Sequence, residues 1–95
     1  MTSIIVIPCF NEGKRLSVDT FCKFINEQES VQFIFVDDGS TDNTFQLLKS
    51  LNSLYPQKTD ILQLSNNSGK AEAVRLGLLL AVSKKPELVG FGMLI

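Results

Sequence analysis

Three short apolar runs, at residues 3–8, 31–36 and 60–64, each break off at a polar turn and give way to a segment with helical apolar spacing. The first is a near-continuous Ile/Val stretch that stops at Pro8, the composition of a central parallel strand covered on both faces. Ser17 is placed to cap a helix over residues 18–29, in which Phe21, Phe24 and Ile25 fall at i, i+3 and i+4. A second helix is marked by Phe45, Leu48 and Leu51, widened by Leu47 and Leu54, and stopped by Pro56. A third carries Ala73, Val74, Leu76, Gly77, Leu80 and Ala81 and closes before Pro86, after which residues 88–95 begin a fourth strand. Strand and helix alternating with short connections predicts an α/β fold, a Rossmann-like doubly wound parallel sheet with right-handed crossovers. The length of 95 residues allows one such domain, residues 1–95.

Charge and composition narrow the partners. Nine basic and ten acidic side chains give a net charge of -1, and no basic cluster exceeds Lys14-Arg15 or Lys84-Lys85, so no nucleic-acid footprint is present. The apolar run at residues 78–82 falls far short of the roughly 20 residues a membrane span requires. The N-terminus lacks a basic region followed by an apolar one, and the expectation is a cytoplasmic domain without a membrane span. Cys9 and Cys22 offer neither a disulfide framework nor zinc-ligand spacing and are expected as reduced, half-buried thiols. With no histidine in the chain, histidine-based catalysis is excluded.

The chemistry-bearing residues gather where strands end. Asp37-Asp38-Gly39-Ser40-Thr41-Asp42 follows the second strand, so two carboxylates are expected on a polar turn that opens a helix. Taken alone, such a segment reads more simply as a solvated turn with Ser40 or Asp42 capping the next helix. Pro8-Cys9-Phe10-Asn11-Glu12 ends the first strand and Asn67-Ser68-Gly69-Lys70 follows the third. Singly these are a polar turn and a surface lysine, but in a parallel sheet all three lie along one edge. Ser68-Gly69-Lys70-Ala71 is not a P-loop, because position 64 is leucine and Ala71 lacks the hydroxyl that would hold magnesium. No G-x-G-x-x-G occurs.

In order and spacing, Ile-Val-Ile-Pro-Cys-Phe-Asn-Glu, Phe-Val-Asp-Asp-Gly-Ser-Thr-Asp-Asn-Thr and Asn-Ser-Gly-Lys-Ala-Glu-Ala-Val-Arg resemble the amino-terminal half of the GT-A glycosyltransferases of family 2. Within that family the chain is most similar to dolichyl-phosphate and polyprenyl-phosphate sugar synthases. The resemblance implies a strand order of 3-2-1-4 and a site for the nucleotide of a UDP- or GDP-sugar. Carried over residue by residue, it assigns Pro8, Asn11 and Glu12 to the wall around base and ribose. Asp38 is expected to accept from the base imide, a charge-assisted hydrogen bond roughly twice as strong as a neutral one. Asp37 is expected to orient the turn, although the two aspartates are interchangeable on sequence grounds. Gly39 belongs to the same turn. Gly69 is expected to let the backbone approach the nucleotide, and Lys70 at a helix N-terminus to attract the base carbonyl or diphosphate. Arg75 is a weaker candidate, and Ala71 stands where relatives often carry glycine.

The family's D-x-D, whose carboxylates hold Mg2+ or Mn2+ against the donor diphosphate, is expected at the end of the fourth strand. Here Phe91 is followed by Gly92-Met93-Leu94-Ile95. The metal is therefore expected for an intact family enzyme, with no metal ligands and no catalytic residue assigned in this chain. The sequence is expected to be a truncated domain, and a single-base deletion is the hypothesis offered for it. Codons TTT TGG GAT GCT GAT CTA GCC encode Phe-Trp-Asp-Ala-Asp-Leu-Ala, and loss of one T gives TTT GGG ATG CTG ATC TAG, which reads Phe-Gly-Met-Leu-Ile-stop. Sequencing the downstream DNA tests this, since absence of an Asp-Ala-Asp in the shifted frame sinks it. The functional expectation is the nucleotide-binding half of a glycosyltransferase, inactive by itself, whose acceptor is a polyprenyl phosphate. The alternatives are a non-catalytic nucleotide- or phosphate-binding module and an inactive folded remnant. A fourth strand at an open edge further implies a homo-oligomer.

Overall fold

The computed structural model describes residues 2–92. Seven elements alternate along it: β1 (Ser3–Cys9), α1 (Val18–Glu27), β2 (Val31–Asp38), α2 (Thr44–Leu54), β3 (Thr59–Leu64), α3 (Lys70–Ser83) and β4 (Leu88–Phe91). The strands form one sheet in the order β3-β2-β1-β4, with every neighbouring pair parallel. Both the α/β architecture and the strand order agree with the sequence expectation.

Side chains on a strand alternate between faces, and here each face has its own core. Ile7, Cys9, Phe33 and Phe35 point toward α1 and α2, where they meet Ile25, Leu48 and Leu51. Ile4, Val6, Ile34 and Val36 point the other way and meet Ala73 and Ala81 of α3. Phe35 packs edge-on to Phe21 at 5.6 Å and lies beside Phe33 at 6.3 Å between ring centroids, so aromatic contact thickens the first layer.

Several boundaries differ from the sequence expectation, including that of β3, which begins at Thr59 instead of Asp60. β1 continues through Pro8 to Cys9, and the missing proline N–H goes unneeded because the described pairing of β1 with β4 ends at Val6. β2 runs through both aspartates, which pair across the sheet with Cys9 and Leu64 instead of entering the turn. α1 ends at Glu27 because Lys58 Nζ reaches across to its last turn, donating to Ile25 O at 2.7 Å and Gln28 O at 2.8 Å. β4 is described as Leu88–Phe91, and the expected continuation to residue 95 lies outside the described residues.

α3 meets the sheet through small residues. Ala73, Gly77 and Ala81 are its buried positions, spaced by four, whereas Leu79 and Val82 are more than half exposed. A Cβ at Gly77 would lie 2.4 Å from Val6 Cγ1 and 2.8 Å from Val36 Cγ2, so the helix backbone rests directly on valine methyls. Parallel crossovers then bring the β1–α1, β2–α2 and β3–α3 loops to the same edge of the sheet.

Candidate functional site

Asp37 and Asp38 are 1% and 2% exposed, and each carboxylate is held by backbone donors of a neighbouring turn. Asp37 Oδ1 accepts from Ser40 N–H at 3.2 Å, closing the turn at the end of β2. Asp38 reaches the β3–α3 loop. Its Oδ1 accepts from Ser68 N–H at 2.8 Å and Ser68 Oγ at 2.9 Å, and its Oδ2 from Gly69 N–H and Asn67 Nδ2, both at 3.1 Å. A carboxylate has about four lone-pair positions, and these four donors occupy them. In this structure the group staples β2 to the loop that opens α3.

Gly39 and Gly69 both have positive φ, at 70° and 94°, but for different neighbours. A Cβ at Gly39 would lie 2.4 Å from Asn67 N and 2.5 Å from Asn66 C, so the residue admits the adjacent loop rather than a ligand. A Cβ at Gly69 meets nothing within 4 Å, leaving its backbone open in front of α3.

Between these loops lies a cavity of about 370 Å³. One wall is Pro8, Cys9, Phe10, Glu12 and Arg15 from the end of β1 and the loop beyond it, and the other is Asp38, Asn67, Gly69 and Lys70. Glu12 is paired with Arg15, whose Nη1 donates to both carboxylate oxygens at 3.1 and 3.2 Å. Lys70 has no hydrogen-bond or ion-pair partner among the described residues and stands at the first position of α3. It adds a full positive charge to the partial one at the helix N-terminus. Burial first, and then the charges of Glu12 and Asp37, push the Cys9 thiol up to about 12, so it stays protonated and is no nucleophile near neutrality. It is also buried rather than half-buried, at 1% exposure.

Of the candidate residues, Pro8, Glu12, Asp38, Gly69 and Lys70 share this cavity, while Asn11, Asp37 and Gly39 do not line it. Asn11, expected on the base and ribose wall, adopts a φ of 49° and turns its amide oxygen to accept from Thr41 N–H at 2.8 Å. Arg75, the weaker candidate, bonds Glu72 one turn back on the exposed side of α3, at 2.5 and 2.8 Å. Phe10, Arg15 and Asn67 are cavity residues that sequence reasoning missed. An aromatic side chain in an otherwise polar turn directly after a buried strand was the available signal for Phe10, which is 44% exposed.

No group of three Asp, Glu, Cys or His side chains able to hold a metal ion occurs among the described residues. Asp38 is filled by loop donors and Glu12 is paired, so these residues do not fit a divalent cation and no chemical step is derived through one.

Comparison with known proteins gives the family and supports the fold. The family model for glycosyl transferase family 2 matches residues 4–91, and the chain belongs to that family of transferases. A dolichyl-phosphate beta-glucosyltransferase of Dictyostelium discoideum is 35% identical over 89 residues, covering 84% of this chain and 27% of that protein. The minor teichoic acid biosynthesis protein GgaA of Bacillus subtilis is 33% identical over 90 residues, covering 92% of this chain and 20% of that one. The chain thus spans about a quarter of the length of these relatives. Among solved structures, S. aureus TarS 1–349 in complex with UDP superimposes with a TM-score of 0.77 at 23% identity, over 99% of this chain and 27% of that one. The mannosyltransferase PcManGT of Pyrobaculum calidifontis, in complex with GDP-Man and Mn2+, gives 0.69 at 22% identity, over 82% and 24%. At these identities the structural likeness establishes the fold.

Proposed function

We propose that the cavity binds the nucleoside diphosphate portion of a UDP- or GDP-sugar and that the chain is the donor-binding part of a glycosyltransferase. The observation that carries this is the meeting, around one cavity, of an exposed aromatic wall and an unpaired cation at a helix N-terminus. Phe10 and Pro8 supply a flat apolar surface for the base, and stacking on such a ring contributes about 1–3 kcal/mol. Lys70 and the first N–H groups of α3 supply the anion-binding end. Asp38 receives a base imide in exchange for one of its two side-chain donors, Ser68 Oγ or Asn67 Nδ2. Relatives named for dolichyl phosphate suggest a polyprenyl phosphate as acceptor of the intact enzyme.

By itself the 95-residue chain binds nucleotide without transferring sugar, and pairs with a second copy through the open edge of β4. Among the described residues no three Asp, Glu, Cys or His side chains are grouped to hold a cation. A PcManGT-like donor complex with Mn2+ is the model for the intact enzyme, where Mg2+ or Mn2+ would neutralise the departing diphosphate. Calorimetry with UDP and GDP, with and without Mg2+, tests the reading. Binding by either nucleotide, weakened about tenfold in Lys70→Ala and indifferent to metal, is the expected result. Absence of heat with both nucleotides removes the site assignment.

A further inference from the structure

Three consecutive backbone donors of the β1–α1 loop point into side chains of the β2–α2 loop. Asn11 N–H donates to Ser40 Oγ at 3.0 Å, Glu12 N–H to Thr44 Oγ1 at 2.9 Å and Gly13 N–H to Asp42 Oδ2 at 3.0 Å. Asn11 Oδ1 answers by accepting from Thr41 N–H. Ser40, Asp42 and Thr44 lie outside the cavity, whereas Phe10, Glu12 and Arg15, carried by the loop they hold, line it.

We propose that Ser40, Asp42 and Thr44 form an inter-loop clamp, with Asp42 as the positioning residue that fixes the cavity wall carried by Phe10, Glu12 and Arg15. Asp42 is its hub because both carboxylate oxygens are engaged. Oδ2 takes the Gly13 amide, and Oδ1 takes the Thr44 amide at 2.9 Å together with the Thr44 hydroxyl. Thr44 is fully buried, and its hydroxyl donates to Asp42 while accepting from the Glu12 amide. It relays the hold to the residue that faces the cavity. The loops meet closely enough that a Cβ at Gly13 would lie 1.9 Å from Asn43 Oδ1 and 2.9 Å from Asp42 Oδ2. Alternate residues of the Ser-Thr-Asp-Asn-Thr segment therefore serve the neighbouring loop instead of a ligand.

The consequence for nucleotide affinity rests on the proposed function, while the clamp itself does not, and two measurements separate them. Amide hydrogen exchange on the ligand-free chain is expected to show the Glu12 and Gly13 amides opening about tenfold faster in Asp42→Ala, with β1 amides unchanged. Calorimetry is expected to show UDP or GDP affinity falling about tenfold in the same variant. Asn52→Ala, which breaks the bonds to Thr59 at the far end of the sheet, serves as control and leaves affinity unchanged. Thr44→Ser, which keeps the hydroxyl, binds like the parent, and Thr44→Val does not. Where Asp42→Ala fails to fold, Ser40→Ala removes a single bond and is expected to loosen the Asn11 amide alone. Unchanged exchange at residues 11–13 in these variants overturns the clamp, and unchanged affinity in Asp42→Ala overturns its positioning role. If the parent chain binds neither nucleotide, the proposed function fails and the exchange data still decide the clamp.

Discussion

Two glycines with positive φ give different predictions because their surroundings differ. Alanine at Gly39 suffers the left-handed backbone penalty and overlap with the Asn66–Asn67 backbone, together about 2–4 kcal/mol. In a chain of this size that lowers the melting temperature by roughly 10 °C or more. Alanine at Gly69 meets open space but, at φ 94° and ψ 152°, sits in a region essentially only glycine adopts, and carries that backbone penalty alone, about 1–3 kcal/mol. Thermal melts of the two variants check the ranking, and equal shifts would refute it. Asp42 has a second signature, in acid. The Thr44 hydroxyl, opposed by desolvation and assisted by the Thr44 and Gly13 amides, holds its carboxyl below the ordinary 3.8. A depressed folded-state value means that the stabilisation is complete above 3.8 and is lost as pH falls through the lower value. The melting-temperature difference between the parent and Asp42→Asn is therefore expected to shrink as pH drops below 3.8, and a constant difference would contradict the assignment. The sequence placed Glu12, Asp38 and Lys70 on one rim because strand ends of a parallel sheet share an edge. It did not reveal that Asn11 turns away, since its positive φ depends on a Thr41 amide thirty positions along the chain.

At the level of elements, α3 shows why apolar spacing located a helix without locating its buried face. Its apolar set holds Ala73, Gly77 and Ala81 beside Val74, Leu76 and Leu80, and spacing alone does not choose between them, yet a helix carrying the three small residues in register can approach the sheet more closely than one resting on leucine. Close approach won, and the valine methyls of β1 and β2 lie against the helix backbone at Gly77. Gly77→Ala tests that account against helix propensity. Propensity favours alanine by about 1 kcal/mol, whereas overlap with Val6 and Val36 costs about 1–3 kcal/mol. Net destabilisation is expected in urea unfolding, and a stabilised variant would show that the layers have room to part. The end of α1 was hidden for a related reason, since its cap comes from Lys58, far along the chain, and no local residue announces it.

For the molecule as a whole, the sheet has two edges with unequal chemistry. β3 is short, half-buried and tied to α3 by the Lys84–Asp60 ion pair at 2.8 Å. β4 is four residues long, pairs among the described residues with β1 alone, and leaves Leu88 55%, Val89 37% and Phe91 61% exposed. An apolar strand with one unpaired row of N–H and C=O groups is a template for another strand. A second copy supplies the same edge, and a two-fold axis places the two β4 strands antiparallel so that each satisfies the other's backbone while covering its side chains. Pairing through β4 leaves the cavity free, because none of its lining residues belongs to that strand. Sedimentation across a concentration series is expected to show a monomer–dimer equilibrium. A lysine at Val89 places a charge on the strand, as natural edge strands do, and should shift the population to monomer without altering nucleotide affinity. A parent chain that stays monomeric at high concentration would rule out the edge as an assembly surface, and a Val89→Lys dimer would place the interface elsewhere.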